Sequence, residues 1–230
     1  MKPTSVYFKQ ISESRKSRIL FPSLILSLVI AACAPTPAPT TTPGSTPGGS
    51  SSGDARTAVL QAIQAHLTAG PYRVVASTTA GENSVAVHGE VILPDKFHLF
   101  SSVSGAPERE YIIIGSTTYA HVNGHWSSLE IDLSSLLTNF IDRLDPDAIS
   151  DVLRVGSDDV NGTPSLAYTY TYTNTINGSV ITNHEKIWVG VANGLPLKQV
   201  VDGEVSGTAY HSEQVIVYDS GITIEAPAIS

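Results

Sequence analysis

Seven histidines and a scatter of aspartates are the side chains of this 230-residue sequence best suited to chemistry, and their spacing decides what they can do. His121 and His125 look at first like a metal pair. They flank Asn123-Gly124, and two strand-like runs separated by Asn-Gly read as a hairpin with a two-residue turn. In that register Val122 faces His125 and His121 faces Trp126, so the two imidazoles point to opposite sides and cannot share a metal. The remaining histidines stand singly, as structural or surface residues. Asp142, Asp145, Asp147 and Asp151 lack the glycine and terminal glutamate of a calcium loop, and helix capping accounts for Asp145. The folded part contains no Gly-x-Ser-x-Gly elbow, Ser-x-x-Lys, His-Glu-x-x-His or phosphate loop. The expectation is a protein that is not an enzyme and holds no metal or cofactor.

Two other constellations remain. Tyr168, Tyr170 and Tyr172 alternate with Thr169, Thr171 and Thr173. Tyrosines in a row can stack on sugars; they are also what a strand with good cross-strand pairing contains. No cluster of Trp or Asn stands beside them, which favours the second reading. The lone cysteine, Cys33, carries more. It ends the apolar run Ile19 to Ala32, which itself follows Lys2, Lys9, Arg15, Lys16 and Arg18. Basic, then apolar, then small residues is the order of a bacterial secretory signal, and about 14 apolar residues are too few for a spanning helix. Ile30-Ala31-Ala32-Cys33 resembles the lipobox of bacterial lipoproteins. The resemblance implies cleavage before Cys33, a diacylglycerol on its sulfur and anchoring of an exported domain to the membrane or envelope. Two or three acyl chains hold a protein to a bilayer where one barely would.

With Cys33 lipidated, the folded part has no thiol, so it forms without disulfides around a hydrophobic core. Removing residues 1–32 leaves 8 basic and 20 acidic residues, a net charge of −12 with neutral histidines. That sign repels phosphate backbones and anionic headgroups, which excludes nucleic acid and leaves membrane attachment to the acyl chains. Residues 33–53 are the lipidated cysteine followed by a Pro/Thr/Gly/Ser-rich stretch that cannot bury enough surface to fold. As a tether it reaches at most ~60 Å. Residues 54–230 suit one domain, expected to be a monomer.

The domain must position its residues with an opening helix, two runs of strands and two short helices between them. Asp54 is placed to cap a helix whose Val59, Ile63 and Leu67 recur every four residues until Gly70-Pro71. Strands follow over 72–79, 84–93, 96–104, 110–115, 117–122 and 125–129, joined by turns too short for anything but antiparallel neighbours. Residues 132–144 place Leu133, Leu136, Leu137, Phe140, Ile141 and Leu144 on one helical face. Asp145-Pro146-Asp147 then predicts a second helix through Leu153. Strands resume over 165–175, 179–191, 197–205, 208–218 and 222–224. The order is α+β, without parallel crossovers.

At this level the chain resembles a known group, the lipoprotein half-barrels that include the LolA and LolB carriers and the mycobacterial LppX and LprG type. The stretches that carry it are Tyr111-Ile112-Ile113-Ile114-Gly115, Tyr119-Ala120, Gly124-His125-Trp126, Ile187-Trp188-Val189, Gly194-Leu195-Pro196-Leu197-Lys198 and the ending Tyr218-Asp219…Ile222-Thr223-Ile224-Glu225-Ala226-Pro227. The resemblance implies a strongly curved antiparallel sheet, an unclosed half-barrel, with helices on the concave face and a greasy cavity for acyl chains. Alternation supplies the candidates: Val85, Val87, Val91 and Leu93 from one strand face and Phe97 and Leu99 from the next. The helix with Leu133, Leu136, Leu137, Phe140, Ile141 and Leu144 would be the lid, since a sheet with one apolar face needs a cover. The expected function is a membrane-anchored lipoprotein that binds or carries a lipid or other hydrophobic molecule. The alternatives are an envelope interaction or sensor domain of the same fold with a filled core, and a polysaccharide-contacting module using the tyrosine strand.

Overall fold

The computed structural model describes residues 52–129, 146–176, 179–205 and 207–229. The signal, Cys33 and most of the tether lie outside the described residues, as do Leu133, Leu136, Leu137, Phe140, Ile141 and Leu144 of the expected lid.

Eleven antiparallel strands form one open sheet. They are β1 (Tyr72–Ala80), β2 (Asn83–Ile92), β3 (Lys96–Val103), β4 (Arg109–Ile114), β5 (Thr117–Val122), β6 (His125–Leu129), β7 (Ile149–Val160), β8 (Thr163–Ile176), β9 (Ser179–Gly190), β10 (Pro196–Val205) and β11 (Thr208–Tyr218). Their spatial order, β6-β5-β4-β3-β2-β1-β11-β10-β9-β8-β7, is that of two meanders. One runs outward from β1 to β6. The other begins at the far edge with β7 and returns to β11, which pairs with β1 along its whole length, Tyr72 opposite Tyr218 through Ala80 opposite Tyr210. The half-barrel is unclosed, since β6 and β7 are the two edges of the sheet.

Local sequence explains the joints. Asn123 and Gly124 both have positive φ, the geometry a two-residue primed turn demands, and the register is Val122 opposite His125 and His121 opposite Trp126. Asn161-Gly162 repeats the device between β7 and β8, with the Gly162 amide donating to Asp159 Oδ1. At Gly89 a Cβ would fall 2.1 Å from the His98 carbonyl oxygen, so the approach of β2 to β3 there requires glycine.

One helix, α1 (Ser52–Thr68), lies on one face of β7–β10. Its buried stripe is Ala55, Val59 and Ala62, with Ile63 and Leu60 half-buried beside it. The stripe is thus turned toward small residues relative to the expected Val59–Ile63–Leu67 repeat. Two alanines at the contact let the helix axis approach the sheet closely. Arg56 fastens the helix to the start of β7 through the Pro146 and Ile149 carbonyls.

Two expected elements differ. The helix predicted through Leu153 is a single 3-10 turn, Pro146–Ala148, followed by strand β7. Pro146 starts a turn well but does not sustain a helix, and the Asn161-Gly162 turn requires a strand before it to pair with β8. Two register shifts, with Asp151 at φ 53°, bend β7, which protects an edge strand from pairing with another chain. The stretch 222–224 is not a strand. It crosses the opposite face of the sheet, burying Ile222 and Ile224 against Ile112, Ile114, Tyr119 and Trp126.

Candidate functional site

Period-two alternation and the register together assign every strand residue to the face that carries α1, here the helix face, or to the opposite one. On the helix face Ala76 pairs Val87 and Gln214, Tyr72 pairs Val91 and Tyr218, and Val91 pairs Phe97. Val85, Val87, Val91, Phe97 and Leu99 therefore share this face. Val91 and Phe97 are buried in a cluster with Tyr72, Ile113 and Ile216, and Leu93, Leu99 and Val74 pack against it. Val85 and Val87 are half-buried higher on the same face. Six cavity candidates from the sheet are thus brought onto one apolar surface of β1–β4.

Across the seam the same face changes character. Tyr168, Tyr170 and Tyr172 are buried under α1 with Ile187 and Val189. The tyrosine strand offers no ring face to solvent, which removes the basis for a polysaccharide-contacting reading. Its phenols instead open a polar row. Tyr170 donates to Glu185 Oε2 at 2.6 Å, the Gln199 amide donates to the same oxygen at 2.6 Å, and Gln214 donates to Gln199 Oε1. One level further along the strands, Tyr210 donates to Asn183 Oδ1 at 2.7 Å, and Thr78 meets Ser212 at 2.9 Å across the seam. Gly203 makes this possible: a Cβ there would lie 2.6 Å from Asn183 Oδ1 and 2.8 Å from the Tyr210 ring. Glu185 is 6% exposed. Burial raises its pKa above the usual carboxylate range, while the bonds from Tyr170, Gln199 and Asn183 pull the other way. Burial likewise holds the Tyr170 phenol well above its ordinary value. The sequence showed the tyrosines but not this network. Its signal was Asn183 and Glu185 sitting in phase with Ile187 and Val189.

Where the ends of α1, β1 and β11 meet, His66 Nδ1 lies 2.8 Å from the Tyr218 hydroxyl, with the Tyr72 ring 4.8 Å away, centroid to centroid. Burial lowers the His66 pKa to about 4.

On the opposite face of β2–β6, Glu110 is bracketed by two imidazoles. His98 Nε2 is 2.9 Å from its Oε1 and His121 Nδ1 is 2.9 Å from its Oε2. His121 stacks on Trp126 and His88 on Phe100. Each nitrogen is satisfied by a different carboxylate oxygen, and among the described residues no three His, Cys, Asp or Glu are placed to hold a metal ion. The register puts His121 and His125 on different faces, as the turn demands. Asp147 lies in the 3-10 turn before β7 and Asp151 near the start of β7, while Asp142 and Asp145 lie outside the described residues. A hollow of about 470 Å³ beside Arg56, Ser150 and Asp151 opens to solvent at the foot of α1.

The fold is that of the half-barrel lipoproteins. Lipoprotein LppX of Mycobacterium tuberculosis superposes with a TM-score of 0.60 at 12% identity, covering 75% of this chain and 99% of that one. LprF of Mycobacterium bovis superposes with a TM-score of 0.59 at 13% identity, covering 79% of this chain and 100% of that one. No protein-family model matches the chain, and no curated protein matches its sequence.

Proposed function

We propose that the chain is an exported lipoprotein, anchored through lipid on Cys33 with its domain on the extracytoplasmic side, whose half-barrel binds or carries a lipid or another hydrophobic molecule. The observation that carries this reading is the apolar helix face of β1–β4. Val85, Val87 and Leu99 stand there only half-buried, whereas the same face of β7–β10 is closed by α1. Apolar surface left beside a packed core gains about 25 cal/mol for each Å² that a ligand removes from water. The resemblance to half-barrel lipoproteins, the lipobox-like Ile30-Ala31-Ala32-Cys33 and the Pro/Thr-rich tether supply the setting. Leu133, Leu136, Leu137, Phe140, Ile141 and Leu144 complete the cavity as a lid in this reading. The protein acts as a binding module and not as a catalyst.

The test is binding of a fluorescent fatty-acyl probe to the wild type and to Val87→Trp, with thermal unfolding of both. Wild type should bind, and the tryptophan should occupy the space and cut affinity tenfold or more at an unchanged melting temperature. A wild type that binds no acyl probe, with a variant that only melts earlier, would replace the carrier by an interaction domain with a filled core. Anchoring is tested separately: Cys33→Ser should move the protein out of the membrane fraction, and unchanged fractionation with normal maturation would remove the lipoprotein reading.

A further inference from the structure

Glu185 is out of keeping with an acyl-binding surface. By register, β1–β5 and β8–β11 give the helix face one acidic side chain, Glu185, and one basic side chain, Arg109, exposed at the start of β4. Arg109 is six strands away from Glu185 on β9, Arg154 on the edge strand β7 is exposed, and the described groups that act on the carboxylate, Tyr170, Gln199 and Asn183, include no cation. A buried carboxylate is costly unless every lone pair is used, and an apolar residue of similar size is often as stable. Here the carboxylate is held in a connected row that widens toward solvent. Tyr170 and Glu185 are buried, Gln199 and Gln214 half-buried, and Asn183, Tyr210, Ser212 and Thr78 half-buried one step further along the strands. The row begins under α1 at Tyr170 and ends beside Val85 and Val87, because Thr78 pairs Val85 and Ala76 pairs Val87. Apolar and hydrogen-bonding halves of one surface therefore adjoin, which is the pattern an amphiphile fits and a plain hydrocarbon does not.

Resting on the acyl-binding reading, we propose that this row is the head-group subsite of the ligand: it takes an uncharged, hydroxyl-bearing head and refuses an anionic one, while the alkyl part lies over Val85, Val87 and Leu99. Phenol, amide and hydroxyl groups from Tyr210, Asn183, Gln214, Ser212 and Thr78 can each give or accept a hydrogen bond with a ligand hydroxyl. A carboxylate or phosphate head placed there would be desolvated beside Glu185, whose described partners are a phenol and two amides and not a cation.

The experiment uses two probes with the same sixteen-carbon tail, monopalmitoylglycerol and palmitate, competing against a fluorescent alkyl reporter on the full chain. Wild type should prefer monopalmitoylglycerol at least tenfold. Glu185→Gln, which keeps the hydrogen-bonding shape and supplies an amide donor, should bind palmitate better and shrink the preference below about threefold. Equal affinities in the wild type, or an unchanged preference in Glu185→Gln, would overturn the subsite while leaving acyl binding intact. A wild type that binds neither probe would overturn acyl binding itself. Should Glu185→Gln fail to fold, Tyr210→Phe carries the same question at the half-exposed end of the row. Its preference for monopalmitoylglycerol should fall severalfold through that ligand alone, and an unchanged ratio would overturn the proposal.

Discussion

The two meanders that meet at the β1–β11 seam use the same helix face in different ways. On the β7–β10 side, α1 presses Ala55, Val59 and Ala62 onto Ile149, Tyr168, Tyr170 and Ile187, and the surface is buried. On the β1–β4 side, Phe97, Val91 and Ile113 make a smaller core at the foot of the strands, and Val85 and Val87 above it stay half-buried. The opposite face differs too. The β2–β6 side carries imidazole, carboxylate and aromatic rings in alternation, while the β7–β11 side flanks Trp188 with Lys186 and Lys198, 4.4 and 5.2 Å from its ring centroid. One sheet thus joins a half that serves stability to a half with spare apolar surface. The division follows from where the single described helix lies.

The sharpest way to break that comparison is to put the same charge into both halves. Val59, on α1, is fully buried against the sheet. Val59→Asp should cost about 4 kcal/mol or more, enough to unfold a domain of ordinary stability. Val87→Asp, on the half-buried side, should cost about 1 kcal/mol. Denaturant melts of the two variants decide it. Equal losses would mean that the β1–β4 face is as tightly packed as the face beneath α1.

A smaller effect comes from the corner where α1 reaches the seam. Burial lowers the His66 pKa from 6.5 to about 4, so the unfolded chain accepts a proton that the folded one resists. Stability from the neutral ring is complete above the unfolded value and falls as pH descends through it toward the folded one. Half-units of pKa carry about 0.7 kcal/mol each, so the wild type should lose about 2 kcal/mol by roughly pH 5 from this group. His66→Gln, which retains a partner for Tyr218, should lose less over the same interval. Parallel pH dependences in the two proteins would mean that the corner opens to water, and that α1 holds the seam less firmly than its contacts indicate.

What the sequence made legible follows the range of the interactions. Asn123-Gly124 fixed a register by local backbone geometry alone, and the alternation of Val85, Val87 and Val91 assigned a face without knowledge of any neighbour. The strand β7 was hidden because its apolar residues do not alternate: two bulges put Leu153 and Val155 into solvent, and Pro146 mimics a helix start. Asn161-Gly162 was the local signal that would have revealed it. Ile222 and Ile224 alternate like a strand, yet their partners are side chains of the opposite face and not a sheet edge. The Glu185 row was invisible for another reason. It joins residues 170, 185, 199 and 214 from four strands, and only the assembled register brings them together.

The smallest effect sharpens the comparison by setting one carboxylate of each half against the other. Glu110 accepts from His98 and His121 at a partly open surface, its side chain 23% exposed, whereas Glu185 is enclosed by Tyr170 and Gln199. Glu110→Gln keeps one acceptor oxygen and loses the other, so one imidazole gives up its partner and turns to water. A hydrogen bond that solvent can replace contributes about 1 kcal/mol or less. Glu185→Gln removes a charge that burial disfavours, so its stability near neutral pH should match or exceed that of the wild type. The stability order expected from urea melts near neutral pH is therefore Glu185→Gln at or above wild type, then Glu110→Gln slightly below. The reverse order would show that the imidazole pair is ornamental and that the buried carboxylate holds β8, β9 and β10 in register, a structural role that would leave less room for a ligand in that row.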